Sequence, residues 1–118
     1  MKIIRHKGSG AWSRAVVHNG TIYFTGHVAR PEYTTIEEQA KALTVRYDEL
    51  LEEYGSDKHH IIMANMYFSN IDEGKVFERT FKEWLGDDMP SAVGIGVKLA
   101  ADTYYAEVAL IAALKEDE

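Results

Sequence analysis

The sequence predicts an α+β domain with two helices on one face of a mixed six-stranded sheet, in the order β-ββ-α-β-α-ββ. Three observations lead there. Short β-favouring runs lie towards both ends of the chain. Two segments between them repeat apolar residues at helical spacing. The 118 residues hold no internal repeat, low-complexity tract or linker, so residues 1–118 read as one domain with one modest core.

Residues 2–6 (KIIRH) read as a short strand, and residues 8–10 (GSG) break it. The run AVVHNGTIYFTG follows. Asn19-Gly20 lies between β-favouring residues, and a type I′ turn needs positive φ at both central positions. This predicts a hairpin over 14–25. Residues 27–34 (HVARPEYT) read as a loop. Thr35 stands three residues before Glu38, the spacing of a capping box. Ile36, Ala40, Leu43, Tyr47, Leu50 and Tyr54 form the stripe of an amphipathic helix of about five turns. Gly55 is its natural stop.

Residues 61–68 (IIMANMYF) read as a mostly buried strand. Asn70 or Asp72 caps a second helix, whose apolar face is Val76, Phe77, Thr80, Phe81 and Trp84 and whose end is Gly86. Residues 92–99 alternate. Val93, Ile95, Val97 and Leu99 point one way, and Ala92, Gly94, Gly96 and Lys98 the other. Residues 103–113 form the last strand.

Two helices leave much of one sheet face uncovered. Ala92, Gly94 and Gly96 are expected on that face and are too small to cover it alone. Tyr105, Ala109 and Ile111 share a side with Glu107 and are not polar. These features predict a homo-oligomer whose sheets pack face to face.

Composition excludes several functions. Cysteine is absent, which removes disulfides, thiol nucleophiles and Cys-based metal sites. The net charge is −6 and the basic residues are scattered, so no nucleic-acid partner is expected. There is no apolar run long enough for a membrane span and no signal-peptide core, so the expected place is cytoplasmic, without a membrane partner. The terminal KEDE reads as a solvated tail. Histidines 6, 18, 27, 59 and 60 do not form a helical i, i+4 ligand pair, so no metal site is expected. No G-x-S-x-G occurs, and Gly94-Ile95-Gly96 lies within a strand rather than opening a helix.

Glu107 stands out. It is the only charge in the twelve residues from Thr103 to Leu114. A carboxylate in an apolar strand is costly unless something pairs with it or uses it. Thr25 before Gly26, Trp12 ahead of the hairpin, and the unshielded backbone at Gly94 and Gly96 could complete a small polar site. Glu107 would serve as acceptor, or as a base acting through water. Trp12, Tyr23, Tyr104 and Tyr105 could line such a pocket or simply pack.

The segments AVVHNGTIYFTGHV, TIEEQAKALTVRYDELLEEYGS, IIMANMYFSNID, FERTFKEW and PSAVGIGV…AEVALIAAL together resemble the Rid family of reactive-intermediate deaminases (YjgF-type, also labelled endoribonuclease L-PSP). The opening is most similar to its short-loop members. The resemblance implies a chorismate-mutase-like fold, a homotrimer with a central sheet barrel, and ligand clefts between subunits. It also implies cofactor-independent hydrolysis of imines and enamines to 2-oxo acids and ammonia. The family's glutamate on the last strand falls on Glu107, its small hydroxyl residue on Thr25 and its N-terminal aromatic on Trp12. Its substrate-binding arginine, in a P-x-R pattern, falls on Ala92 of Pro90-Ser91-Ala92. The asparagine of its second helix has no counterpart, with Phe77 near that place.

The expected site is therefore Glu107 and Thr25 as catalytic residues, with Trp12, Ala92, Gly94 and Tyr105 around the ligand and no cofactor. Ala92 cannot fork a carboxylate as arginine does. The leading expectation is a small-metabolite-binding trimer, acting on C=N bonds of substrates without that carboxylate. A conventional 2-iminopropanoate or 2-aminoacrylate deaminase with a relocated cation, Arg14 or Lys98, is one alternative. A non-enzymatic regulatory or protein-interaction trimer is another.

Overall fold

The hairpin forms as its turn chemistry dictates. In the computed structural model, which describes residues 2–115, Asn19 and Gly20 have φ of 53° and 74°. They join β2 (Ser13–His18) to β3 (Thr21–Phe24), with His18 opposite Thr21. Ahead of them lies β1 (Ile3–Lys7), paired to β2. The tail residues 116–118 lie outside the described residues.

The first helix, α1 (Ile36–Glu53), is capped at both ends. Thr35 Oγ1 accepts from Glu38 N–H at 3.1 Å, and the Glu38 carboxylate accepts from Thr34 N–H at 3.2 Å. At the other end Gly55, at φ 86°, donates to Glu52 O while Ser56 donates to Leu51 O at 2.8 Å. That pair of bonds is a Schellman motif, satisfying carbonyls that the helix leaves open. Asn70 caps a short 3-10 turn, Ile71–Glu73, that leads directly into α2 (Gly74–Leu85). Gly86, at φ 63°, ends α2.

The remaining strands are β4 (His27–Val28), β5 (Ile61–Phe68), β6 (Ser91–Gly96) and β7 (Ala106–Ala113). The sheet runs β1-β2-β3-β7-β5-β6, with β4 also on β7. Only β5 and β6 are parallel, joined through α2; every other pairing is antiparallel. The sheet is mixed and carries two helices on one face, as expected. No helix of the described residues is long and apolar enough to cross a membrane.

The core lies between the helices and one sheet face. Ala106, Val108, Leu110 and Ala112 of β7 are buried there with Ala64, Met66 and Phe68 of β5. The helices supply Leu43, Tyr47 and Leu50 from α1, and Phe77 and Phe81 from α2. Phe77 stacks on Phe81 and meets Phe68 edge-on, so it is a packing residue. The opposite sheet face is bare in the single chain: Tyr23 (45 % exposed), Val93 (39 %) and Ile95 (44 %) lie on it.

Three expectations need correction. A seventh strand exists, because His27-Val28 pairs with Val108-Glu107 where a loop was expected. The last strand begins at Ala106 rather than 103. The reason is Gln39, fully buried on α1, which takes the backbone of this segment for itself. Its amide donates to Thr103 O at 2.8 Å and Tyr33 O at 3.0 Å, and its carbonyl accepts from Tyr105 N–H at 2.9 Å. The third correction concerns β6, which ends at Gly96 and places Ala92, Gly94 and Gly96 on the helix side. Ala92 pairs with buried Ala64 and Gly94 with buried Met66.

Gln39→Leu keeps the volume and strands three part-buried backbone groups. It is expected to cost about 3 kcal/mol in urea unfolding, since each unsatisfied group costs roughly 1–3 kcal/mol.

Candidate functional site

The alternation of β7 decides where Glu107 points. Its neighbours Ala106 and Val108 are buried against the helices, so Glu107 projects from the bare face. It sits in register between Val28 of β4 and Tyr67 of β5. None of the four ion pairs among the described residues involves it. Its carboxylate lies against Gly26, where an added Cβ would overlap the carboxylate oxygen. The missing side chain at Gly26 is therefore what makes room for the acid.

Thr25 precedes Gly26 and is held by its N–H, which donates to Arg14 O at 3.0 Å. Gly26 and Glu107 are in contact, and Thr25 is the residue next to Gly26 in the chain. The structure does not bring Trp12, Ala92 or Gly94 to Glu107 within one chain. Trp12 projects from the β1–β2 connection, 79 % exposed. Ala92 and Gly94 lie on edge strand β6, on the opposite side of the sheet from Glu107. Tyr105 is half-buried and packs against the core, just ahead of β7. Lys98 is exposed beyond the end of β6, and Arg14 is half-buried.

Behind Glu107 stands a hydrogen-bonded support. Tyr47, fully buried on α1, donates its hydroxyl to Val108 O at 2.7 Å. Burial raises its pKa, with the negative charge of Glu107 a lesser contribution, so the hydroxyl stays protonated and donating. His27 packs edge-on against Tyr47, ring centres 5.3 Å apart. Its Nε2 is buried and has no hydrogen-bond partner among the described residues. Burial, then the charges of Arg46 and Arg14, lower its pKa to about 4. His27 is a neutral imidazole at neutral pH.

Two hollows flank these elements. One of about 720 Å³ lies between α1 and the loop after β4, and none of the expected site residues lines it. The other, about 240 Å³, lies between α2 and the β5–β6 edge and includes Ala92. Sequence reading missed Gln39, His27 and the role of Gly26. A signal existed for Gln39, a polar residue lying on the apolar stripe of α1 between Ile36 and Leu43.

Two helices on a mixed sheet define an α+β domain. The profile of the endoribonuclease L-PSP family matches residues 4–114. The chain belongs to that family, whose members also carry the names YjgF, RutC and Rid. A RutC family protein of Haemophilus influenzae is 30 % identical over 116 residues, covering 95 % of this chain and 98 % of that one. RutC family protein YoaB of Escherichia coli is 26 % identical, covering 97 % and 100 %. A YjgF family protein of Neisseria meningitidis shares the fold at a TM-score of 0.92 and 24 % identity, over 99 % and 98 % of the two chains.

His27 makes stability depend on pH. Its folded pKa of about 4 lies below the ordinary 6.5, so the unfolded chain takes up the proton first. Its contribution is complete above pH 6.5 and declines as pH falls towards 4. The expected loss is up to about 2 kcal/mol over that window, after allowing for solvent screening. Urea unfolding from pH 7.5 to 4.5 should show a flatter profile in His27→Gln than in the wild type. Equal slopes would mean that His27 is not buried neutral.

Proposed function

We propose that this protein binds a small uncharged imine, or an enamine as its imine tautomer, between two copies of the chain and hydrolyses its C=N bond. The observation that carries this is Glu107: a carboxylate without an ion-pair partner among the described residues, on a bare sheet face, with room made for it by Gly26. Family membership supports the chemistry through the deaminase resemblance. A homotrimer with its sheets turned inward would cover Tyr23, Val93 and Ile95, the exposed apolar residues of that face. Glu107 and Ala92 lie on opposite sides of the sheet, so a site using both takes Glu107 and Thr25 from one copy and Ala92 from the next.

The reaction is water addition. Glu107 accepts a proton from water as its oxygen bonds to the imine carbon and the C=N π pair moves to nitrogen, which takes up a proton. The resulting carbinolamine collapses. Glu107 returns its proton to nitrogen, the hydroxyl proton leaves to solvent, C=O forms, and nitrogen departs with the C–N electron pair as ammonia or amine. Thr25 supplies a hydroxyl to orient the water. No metal or cofactor is required. Ala92 offers no cation for a substrate carboxylate, so ordinary 2-imino acids lose a charge-assisted bidentate bond.

A second reading has its own support. The Arg14 carbonyl accepts from Thr25 N–H, so Arg14 and Thr25 are backbone neighbours, which supports Arg14 as the candidate cation. Were its guanidinium to bind the carboxylate, the protein would be a conventional 2-aminoacrylate deaminase.

Coupled assays of ammonia release separate the two readings. The wild type is expected to show no rate above buffer on 2-aminoacrylate, and Ala92→Arg to gain about a hundredfold. Activity in the wild type that falls in Arg14→Ala would establish the second reading. On a neutral imine, Glu107→Gln should lose about a hundredfold or more. Unchanged turnover and ligand affinity in that variant would remove Glu107 from the site.

Gly26→Ala offers a further check. The added methyl displaces the flexible end of Glu107, so stability should change by less than about 1 kcal/mol while Glu107-dependent turnover collapses. Full activity in Gly26→Ala would show that the carboxylate does not work from this position.

A further inference from the structure

We infer that the hollow beside Ala92 is the specificity pocket of the site and receives an uncharged, apolar group of the ligand, an aryl or branched alkyl substituent. This rests on the reading above, in which Ala92 of one copy faces Glu107 of another, and it names the substrate class.

The hollow is built by a pair of small residues. Ala92 of β6 stands opposite Ala64 of β5, and neither side chain spans the distance to α2. Met66, Phe81, Leu85 and Met89 complete its walls. The volume, about 240 Å³, falls below the roughly 300–1,000 Å³ of pockets that enclose whole drug-sized molecules. It suits one side-chain-sized substituent, with the reacting bond held outside.

Charge excludes an acidic occupant. The only cation at this hollow among the described residues is Lys82, and its ammonium is engaged, donating to Gly86 O at 2.9 Å at the C-terminal end of α2. Glu78 lies one turn earlier on the same helix and adds negative charge. A carboxylate placed here would be desolvated against Phe81 and Leu85 without a partner. A hydrocarbon group meets only favourable contacts. Met89, 44 % exposed at the rim, is a flexible side chain able to fold over such a group.

The test uses the full chain with 13C-methyl-labelled methionine, titrated with benzyl alcohol and separately with sodium benzoate. Benzyl alcohol should shift the Met66 and Met89 methyl resonances and bind at least about tenfold more tightly than benzoate, as expected for an apolar pocket without a cation. Ala92→Phe fills the hollow from an exposed edge strand and should abolish the response. Ala92→Leu is the smaller substitute should the phenyl ring prevent folding. The inference is overturned if the two methyls do not respond to benzyl alcohol, if benzoate binds equally well, or if both Ala92 variants respond as the wild type does. Methyl shifts that follow protein dilution, with the probe excluded, would show a side chain of a second copy in the hollow and would also overturn it.

Binding of benzyl alcohol is read without turnover and should persist in Glu107→Gln. Loss of the probe response alongside Glu107-dependent imine hydrolysis would remove only the pocket. A retained response without hydrolysis would remove only the catalytic reading.

Discussion

The amide of Gln39 determines how the central strand enters the sheet. It is fully buried and bonded on three sides, to Tyr33, Thr103 and Tyr105. These bonds hold the segment before Ala106 out of the ladder and so set where β7 begins. The side-chain period of a strand is two, so a slip of one residue would turn Glu107 into the core and Val108 out of it. Everything proposed for Glu107 follows from that phase. Tyr47 secures the same strand from α1 through Val108 O, and Gly26 clears the space in front of the acid.

Local chemistry made much of the fold legible. Asn19-Gly20 encodes its own turn, and Thr35, Glu38 and Gly55 encode the ends of α1. The stripe of α1 needed only its spacing. Features set by distant partners were not legible. His27-Val28 is too short to show periodicity, and it is a strand only because β7 passes alongside. The start of β7 depends on an amide more than sixty residues away. For Ala92 the alternation was readable, but its side was not: small residues fit a crowded bare face and a shallow helix-covered edge equally well.

The site shows the same division. Glu107 was visible as a lone charge in an apolar run, and Thr25 and Trp12 through a family pattern. Pattern matching, however, carries no information on which residues share one chain's surface. Glu107 and Ala92 are fifteen residues apart in sequence and on opposite faces of the sheet. This turns a question about one pocket into a question about assembly. In the proposed reading, Ala92 at the position the resemblance gives to arginine and the hollow beside it are two sides of one feature, no cation and an apolar space.

The strand order also bears on how the chain reaches this state. β7 is the last strand in sequence, yet it lies between β3 and β5. Until it arrives, the hairpin and the β5–α2–β6 unit have no ladder between them, and each presents an open edge. Folding must therefore close long loops before the core gains its central strand, which slows the process and lengthens the exposure of apolar surface. During synthesis the two halves wait for β7. A truncation within it would leave two incomplete sheets, both prone to pair with other chains.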